Sequence, residues 1–316
     1  MSNLSEKHFH NEKSAYKYVE KKLWSEGRVC PHCGVVDKSA PLKGKTTRIG
    51  LYKCYDCRKP FTVKIGTIFE GSRVKLNLWL QAILLVSSSK KGISANQLAR
   101  ILGVSTKTAW FMVHRLREAM KDNTPILGND SGIVEMDETY YGKKKVRATK
   151  KTSGLPYTGS KYGRGVANKL AVVSMVERGG KVRSFHVNRA DKSTIASIIT
   201  ENVSKEASLY TDESRLYTGA EAHVKEHESV HHRRGEYARG KVTTNSIEGF
   251  FSVFKKGMNG IFQHCDEKNL HRYLQEFDFK YNTRQALGYS DKDRANLMLQ
   301  GVVGKRLKYQ RPSTYA

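Results

Sequence analysis

The spacing of apolar residues predicts helices in the N-terminal part of the chain and a mixed sheet in the C-terminal part. Apolar residues recur at helical spacing over 76–86 and predict one helix. Ser94 then offers an N-cap to a short helix that Gly103 ends in a tight turn, and Ser105 caps the next helix. This order of a short helix, a glycine turn and a capped basic helix is typical of helix-turn-helix DNA-binding modules. A helical hairpin used only for packing stays open as the alternative.

The second helix of this pair carries the residues that we expect to meet DNA. Its N-terminal turn and its basic positions point away from the apolar face, or flank it, in this interpretation. The predicted DNA-binding residues are Thr106, Lys107, Thr108, His114 and Arg115, with Arg117 beside them.

A polar linker at 123–131 separates these helices from a segment with strand-like apolar runs. Residues 132–141 predict a strand that ends near Asp137, and Gly179 with Gly180 predicts the turn of a hairpin. A first strand, two hairpin-linked strands, a helix and another strand predict a mixed sheet with helices packed on it. The further predicted elements are strands over 170–176, 182–187 and 207–211, and helices over 194–203, 245–258 and 270–281.

Four of the five cysteines stand as two pairs, Cys30-Pro-His-Cys33 and Cys54-Tyr-Asp-Cys57. Each pair can form a knuckle that holds one side of a tetrahedral Zn²⁺ through its two thiolates. A disulfide framework would leave Cys265 as an odd thiol, and two such pairs rarely fall at this separation by accident, so a metal site is a better account than disulfides or unpaired cysteines. We therefore predict a zinc ribbon, whose role is to hold or recognise another molecule.

Two flanking segments belong to the predicted ribbon domain. Apolar residues cluster at helical spacing around Tyr16 and Leu23 and predict an N-terminal helix. Apolar and polar residues alternate over 60–69, as expected for the strand that completes the ribbon sheet.

The charge of the chain indicates a polyanionic partner. Lysine and arginine number 56 against 30 aspartates and glutamates, and the formal net charge is +26. Such an excess predicts salt-dependent binding to double-stranded DNA, and no apolar span of membrane length argues for a membrane. A merely soluble basic protein is the alternative. The basic segments 142–165 and 304–316 are either solvated loops or arms that order on DNA.

Two aspartates follow apolar runs where strands are predicted to end, Asp137 after 132–136 and Asp212 after 207–211. Ligands collect at strand ends of open mixed sheets, so both carboxylates can reach one ion. Glu248, three residues after Asn245 on a predicted helix, supplies a third acid. Two Mg²⁺ ions about 4 Å apart would then activate a water or a 3′-hydroxyl and stabilise the leaving oxygen. Taken singly, each acid would be a surface carboxylate or a helix cap.

Four stretches carry a resemblance to a known family. They are the two cysteine pairs, VEMDETYYGKK around Asp137, LYTDES around Asp212, and TTNSIEGFFSVFKKGMNGI with the helix after it, residues 270–284. The chain resembles bacterial insertion-sequence transposases of the DDE class, in the ISXO2-like branch with an N-terminal zinc ribbon. The resemblance covers nearly the whole chain, and its last stretch is the most specific part.

The resemblance implies a ribonuclease-H-like catalytic domain with Asp137 on its first strand, Asp212 after its fourth strand and Glu248 on a late helix. It also implies that Lys255, two turns beyond Glu248 on the same helical face, touches DNA near the scissile phosphate. In this branch the third position is not always glutamate, so Asn245 is either its counterpart or an auxiliary ligand. Glu248 is preferred because a carboxylate binds Mg²⁺ more strongly than an amide.

The same resemblance implies a structural Zn²⁺, a catalytic Mg²⁺ or Mn²⁺, and a bacterial, nucleoid-associated protein of the cytoplasm. Two element ends must meet, so we expect at least a homodimer on DNA. The predicted enzyme is a DNA transposase that binds terminal inverted repeats, hydrolyses a phosphodiester at the element's end and joins the freed 3′-hydroxyl to target DNA. Two other functions stay open: a non-enzymatic DNA-binding regulator, and a nuclease or resolvase that cuts without strand transfer.

The predicted fold class is multidomain α+β. Its domains are an N-terminal helix and zinc ribbon (1–72), a helix-turn-helix domain (73–122), a linker (123–131), a ribonuclease-H-like mixed α/β catalytic domain (132–290) and a basic C-terminal tail (291–316).

Overall fold

The computed structural model describes residues 3–121, 125–142, 149–150, 156–157 and 169–308. Its α-helices are α1 (Lys7–His10), α2 (Glu12–Leu23), α3 (Leu76–Ser88), α4 (Ala95–Leu102), α5 (Thr106–Ala119), α6 (Lys192–Asn202), α7 (Asn245–Gly257), α8 (Leu270–Asn282) and α9 (Asp291–Gln300). Its β-strands are β1 (Ser39–Pro41), β2 (Tyr52–Cys54), β3 (Pro60–Phe61), β4 (Ile133–Tyr141), β5 (Thr149–Lys150), β6 (Pro156–Tyr157), β7 (Leu170–Glu177), β8 (Val182–Val187), β9 (Ser208–Asp212), β10 (Glu226–Val230), β11 (Ala238–Arg239) and β12 (Val242–Thr243).

The chain folds as two compact units. The first unit combines Met1–Lys121 with Thr283–Ala316, and the second unit is Asp122–Asn282. Most of the basic segment 142–165 and residues 309–316 lie outside the described residues, and the predictions of DNA-contacting arms fall there. Across the described ranges, no helix has the length and apolar character needed to span a membrane.

The small sheet of the first unit has the order β1-β2-β3 with antiparallel pairs, and it carries Cys54 at the end of β2. The strand predicted over 60–69 is wrong beyond Phe61, where β3 ends. The chain then turns, and Gly66 adopts a φ of 73°. Val63 and Ile68 are nevertheless buried, so the alternation in the sequence reflects burial of a turning segment and not a strand.

The helix pair predicted around Gly103 is confirmed, with its caps. The Ser94 hydroxyl accepts the Gln97 N–H at 3.1 Å, and Gly103 ends α4 with a φ of 66°. The Ser105 hydroxyl accepts the Thr108 N–H at 3.2 Å at the start of α5. Each cap satisfies an N–H group that has no partner inside its helix. Both helices therefore begin directly after the serines that the sequence predicts as their N-caps.

The second unit contains a mixed sheet, as predicted, with the strand order β10-β9-β4-β7-β8. The β4·β9 and β9·β10 pairs are parallel, whereas the β4·β7 and β7·β8 pairs are antiparallel. The prediction that the first strand ends near Asp137 is wrong. Strand β7 pairs with β4 as far as Tyr141, so Asp137 lies in the middle of β4.

Helices cover both faces of this sheet, and the strand residues alternate between two apolar cores. Met136 and Val173 pack with α6, whereas Val172 and Val176 pack with the phenylalanines of α7 and α8. Because alternate side chains of β4 point to opposite faces, Glu135 and Asp137 lie on the face opposite Met136. That face is the one that α7 covers.

Two glycines of the second unit have left-handed backbone, but they differ in the space around them. Gly128 and Gly179 have φ values of 74° and 73°, but only at Gly128 would a Cβ lie 2.5 Å from the Ala207 Cβ and 2.8 Å from a Val134 methyl group. At Gly179 nothing lies within 4 Å. Gly179→Ala should therefore cost about 1–2 kcal/mol for left-handed backbone alone, and Gly128→Ala about 1–3 kcal/mol more for overpacking.

The measurement is the free energy of unfolding of both variants in urea. Equal losses for the two variants would contradict the close packing of Gly128.

Candidate functional site

The four predicted zinc ligands meet at one point in the first unit. The sulfur atoms of Cys30, Cys33, Cys54 and Cys57 all lie within 4.8 Å of one another, with Cys30–Cys57 and Cys33–Cys54 separations of 3.7 Å. Four thiolates at about 2.3 Å from a tetrahedral Zn²⁺ would be about 3.8 Å apart, so the geometry fits zinc.

Local hydrogen bonds prepare the first knuckle for a metal. The Cys30 N–H donates to the Val35 carbonyl, and the Gly34 N–H donates to the Cys30 carbonyl, both at 2.9 Å. Burial raises the pKa of the Cys30 thiol, but hydrogen bonds from the His32 and Cys33 backbone and from neighbouring thiols outweigh it and lower that pKa to about 7. At Cys33 the Val35 backbone hydrogen bond lowers the pKa of the thiol, but burial and hydrogen bonds to the neighbouring thiols outweigh it and raise that pKa to about 12. A thiolate is the form that binds zinc, so zinc binding would release the proton that Cys33 keeps.

The register of the mixed sheet brings the two predicted aspartates together. The last pair between the parallel strands β4 and β9 is Glu135 with Tyr210. Asp137 and Asp212 each stand two residues beyond that pair, on neighbouring strands. Asp212 is the last residue of β9, whereas β4 continues on the support of β7.

A third carboxylate joins them that the sequence analysis did not assign. Asp137, Glu138 and Asp212 offer oxygens that all lie within 4.8 Å of one another. The Glu138 side chain accepts a hydrogen bond from the Tyr217 hydroxyl at 2.7 Å, and the Ser214 N–H donates to Asp212 at 3.0 Å. The signal was present in the acid-rich run 135–138, but nothing in the spacing distinguishes Glu138 from a solvated neighbour. We call these three residues the acidic cluster.

Asp137 and Glu138 of the acidic cluster resist ionisation. Burial, followed by the charges of Glu138 and Asp212, raises the pKa of Asp137 to about 7. Burial also raises the pKa of Glu138, although the Tyr217 hydrogen bond lowers it. Burial and the neighbouring acids raise the pKa of Tyr217 well above its ordinary value, so its hydroxyl stays a donor. A divalent cation would relieve the repulsion between the carboxylates.

Helix α7 forms the other wall of this site. Asp137, Glu248 and Lys255 line one cavity of about 420 Å³, together with Phe251, Ser252 and Lys256. Glu248 accepts a hydrogen bond from the Thr244 hydroxyl at 3.2 Å, and His232 Nε2 lies 3.7 Å from its carboxylate. Lys256 was not predicted.

Among the residues that the structure describes, Glu248 lies outside the group of three carboxylates that meet within 4.8 Å. Asn245 is the exposed first residue of α7, and its N–H donates to the Thr243 hydroxyl at 3.1 Å. Glu248 faces the cavity that Asp137 shares, and its charge contributes to the raised pKa of Asp137. The arrangement therefore puts Glu248 beside Asp137 and leaves the identity of the third ligand as a prediction.

The predicted DNA-binding residues divide into two groups on α5. Thr106 and Lys107 are exposed and Thr108 is half-buried, at the beginning of the helix. The expectation that His114, Arg115 and Arg117 point outward or flank the apolar face is wrong, because their exposed fractions are 1%, 6% and 2%.

Arg115 is held by carbonyl groups of its own unit. Its guanidinium donates to the Ile68 and Glu70 carbonyls at 2.6 and 2.9 Å and to the Leu307 carbonyl at 3.2 Å. An arginine committed to three backbone acceptors serves the packing of α5, and helical spacing alone did not reveal those partners.

Comparisons with known proteins agree with these two sites. Residues 130–282 match the family model of the ISXO2-like transposase domain, and residues 10–60 match that of the transposase zinc-ribbon domain. The chain is also similar to a Halobacterium salinarum protein described as an uncharacterized protein in transposable element ISH50. The two are 28% identical over 279 residues, which cover 87% of this chain and 92% of the relative.

The cysteine geometry predicts close to one Zn²⁺ per chain. Replacing a ligand removes a bond that the ribbon needs, so Cys54→Ser should lower the bound zinc to near zero, as measured by atomic absorption. Cys265→Ser is the matched control, because Cys265 lies outside the four-sulfur group and should leave the zinc content unchanged. Full zinc content in Cys54→Ser would rule out the site.

The raised pKa of Asp137 predicts a pH-dependent stability. The folded-state pKa of about 7 exceeds the ordinary value of 3.8, so the proton stabilises the folded, metal-free protein at acid pH and that stabilisation is lost as the pH rises through about 7. Asp137→Asn removes this dependence. The free energy of unfolding of the wild type should therefore fall, relative to that of Asp137→Asn, by on the order of 2 kcal/mol between about pH 5.5 and about pH 8.

The measurement is urea unfolding in a chelator at both pH values. Glu206→Gln, at an exposed acid of the same unit, is the control and should show no such growth. A difference that is the same at both pH values would contradict the raised pKa of Asp137.

Proposed function

Because the chain belongs to the IS1595-type DDE transposases with an N-terminal zinc ribbon, we propose that it cuts and joins DNA at the ends of a mobile element. The observation that carries the chemistry is the acidic cluster beside a lysine-lined cavity. Carboxylates at this spacing are the ligand set of Mg²⁺ and Mn²⁺.

The second unit is, in this proposal, a ribonuclease-H-like catalytic domain. Asp137, Asp212 and Glu248 hold two Mg²⁺ or Mn²⁺ ions, and Glu138 is available to the same ions. The bound ions would activate a water or a 3′-hydroxyl and stabilise the leaving oxygen. Tyr217 fixes the orientation of Glu138 through its hydrogen bond.

The cavity wall supplies the charge that a phosphodiester needs. Lys255 and Lys256 line the cavity from the last turn of α7. Their ammonium groups would neutralise phosphates on either side of the scissile bond and draw the strand to the carboxylates. The charge that the acids bring to the site would otherwise repel DNA.

DNA binding falls to the first unit in this proposal. Helices α4 and α5 act as a helix-turn-helix, with Thr106, Lys107 and Thr108 at the end of α5 that enters the major groove. The zinc ribbon contacts DNA or a partner chain, and a homodimer or larger assembly pairs the two element ends. The net charge of +26 supports strong and salt-dependent affinity for DNA.

The test is a cleavage and strand-transfer assay with labelled element ends in Mg²⁺. Asp137→Ala and Asp212→Ala should lower both activities by on the order of 10³-fold or more, since each removes several kcal/mol of metal-assisted stabilisation. Binding of the labelled ends in a band-shift assay should stay at the wild-type level. Glu206→Ala, at an exposed acid of the same unit, is the control.

The outcomes separate the rival functions. Wild-type cleavage by Asp137→Ala would overturn the proposal. Binding without any metal-dependent nicking would indicate a regulator, and nicking without joining would indicate a nuclease or resolvase. A parallel comparison of Glu248→Gln with Asn245→Ala identifies the third ligand as the residue whose change costs more activity.

A further inference from the structure

Glu135 carries a fully buried carboxylate that caps α7 from a neighbouring strand. The N–H groups of Ser246 and Ile247 donate to its Oε2 at 2.7 and 3.1 Å, and the Ser246 hydroxyl donates to its Oε1 at 3.0 Å. The first N–H groups of a helix have no partner within it, and an anion there also meets the positive end of the helix dipole. The N-cap residue itself, Thr244, makes no such bond, because its hydroxyl is turned to Glu248.

Arg178 completes the arrangement from the end of β7. Its Nε and Nη2 donate to Glu135 Oε1 at 3.0 and 2.7 Å. The same guanidinium donates to the Lys241 and Thr243 carbonyls at 2.8 and 3.2 Å, in the segment that leads into α7. One ion pair therefore joins β4, β7, β12 and α7.

The position of this ion pair relates it to the acidic cluster. Glu135 and Asp137 are two residues apart on β4, so their side chains share the face that α7 covers. Ser246 and Ile247 directly precede Glu248, which lines the cavity with Asp137. Any shift of the start of α7 along β4 would move Glu248 relative to Asp137.

We propose that Glu135 and Arg178 form a clamp that positions the beginning of α7 against β4 and so holds Glu248 and Lys255 over Asp137. The clamp rests on the proposed function, because it matters only if those residues hold metal and DNA. Both oxygens of Glu135 are occupied by Arg178 and α7, so Glu135 acts as a positioning residue and is not a metal ligand. Loss of a residue that orients a metal ligand without binding the metal typically lowers metal affinity 10–100-fold.

The test measures Mn²⁺ binding by electron paramagnetic resonance and, separately, the Mn²⁺ concentration that gives half-maximal cleavage. Glu135→Gln should raise both by about tenfold, and excess Mn²⁺ should restore much of the cleavage rate. Glu276→Gln is the matched control, since Glu276 is also buried in this unit and pairs with Lys280 at 2.5 Å. It should leave both Mn²⁺ readouts unchanged at temperatures where thermal melting shows the variants folded.

A double-mutant cycle with Glu248→Gln tests whether the clamp acts through α7. If it does, the double variant should bind Mn²⁺ no more weakly than Glu248→Gln alone. If Glu135→Gln does not fold, Arg178→Lys replaces it, because lysine keeps the charge but loses the two-nitrogen fork.

Three results would overturn the clamp. They are wild-type Mn²⁺ affinity in the folded clamp variants, losses equal to those of Glu276→Gln, and additive losses in the cycle. Full cleavage by Asp137→Ala would instead overturn the proposed function. An inactive Asp137→Ala beside clamp variants of wild-type Mn²⁺ affinity would refute the clamp alone.

Discussion

Electrostatic repulsion within the acidic cluster is the constraint that the second unit is built around. Three carboxylates lie within 4.8 Å of one another, and burial together with their mutual charge raises the pKa of Asp137 to about 7. The fold holds them there because β4 pairs in opposite senses on its two sides. The parallel pairing with β9 stops at Glu135, whereas the antiparallel pairing with β7 carries β4 on past Asp137. Beyond Glu135 the strand β4 has a neighbour on one side only, so Asp137 faces Asp212 across the gap while β7 keeps β4 in the sheet.

The parts of the structure that follow from local chemistry were predictable from the sequence. The two cysteine pairs specify a four-sulfur site because each pair can hold one side of a tetrahedral Zn²⁺, and the sulfur positions fit that geometry. Ser94, Gly103 and Ser105 specify the ends of α4 and α5 because capping depends on residues within one turn. The mixed sheet follows from the order of apolar runs, and the recognition of the transposase family is confirmed by both family models.

The parts that depend on distant partners were not predictable. Arg115 has the spacing of a surface residue on α5. Its acceptors are the carbonyl groups of Ile68, Glu70 and Leu307, which are separated from it by 47, 45 and 192 positions in the chain. The same holds for Glu135, whose donors lie on β7's end and on α7. Apolar alternation over 60–69 gave a strand where the chain turns, because a turning segment with a buried side also alternates. An isolated sequence shows which residues are polar, but not which buried group will satisfy them.

The zinc ribbon and the proposed Mg²⁺ site would depend on their ions for different reasons. Around the four cysteines, the buried apolar cluster contains Cys30, Cys54 and Phe61, with a few half-buried neighbours, and the sheet strands are two or three residues long. So small a core gains little from burial, and Zn²⁺ must supply much of the folding free energy. The acidic cluster lies in a sheet with an extensive apolar core on each face. Those cores hold the scaffold together without an ion, so a divalent cation there relieves repulsion between carboxylates whose positions the sheet has already set.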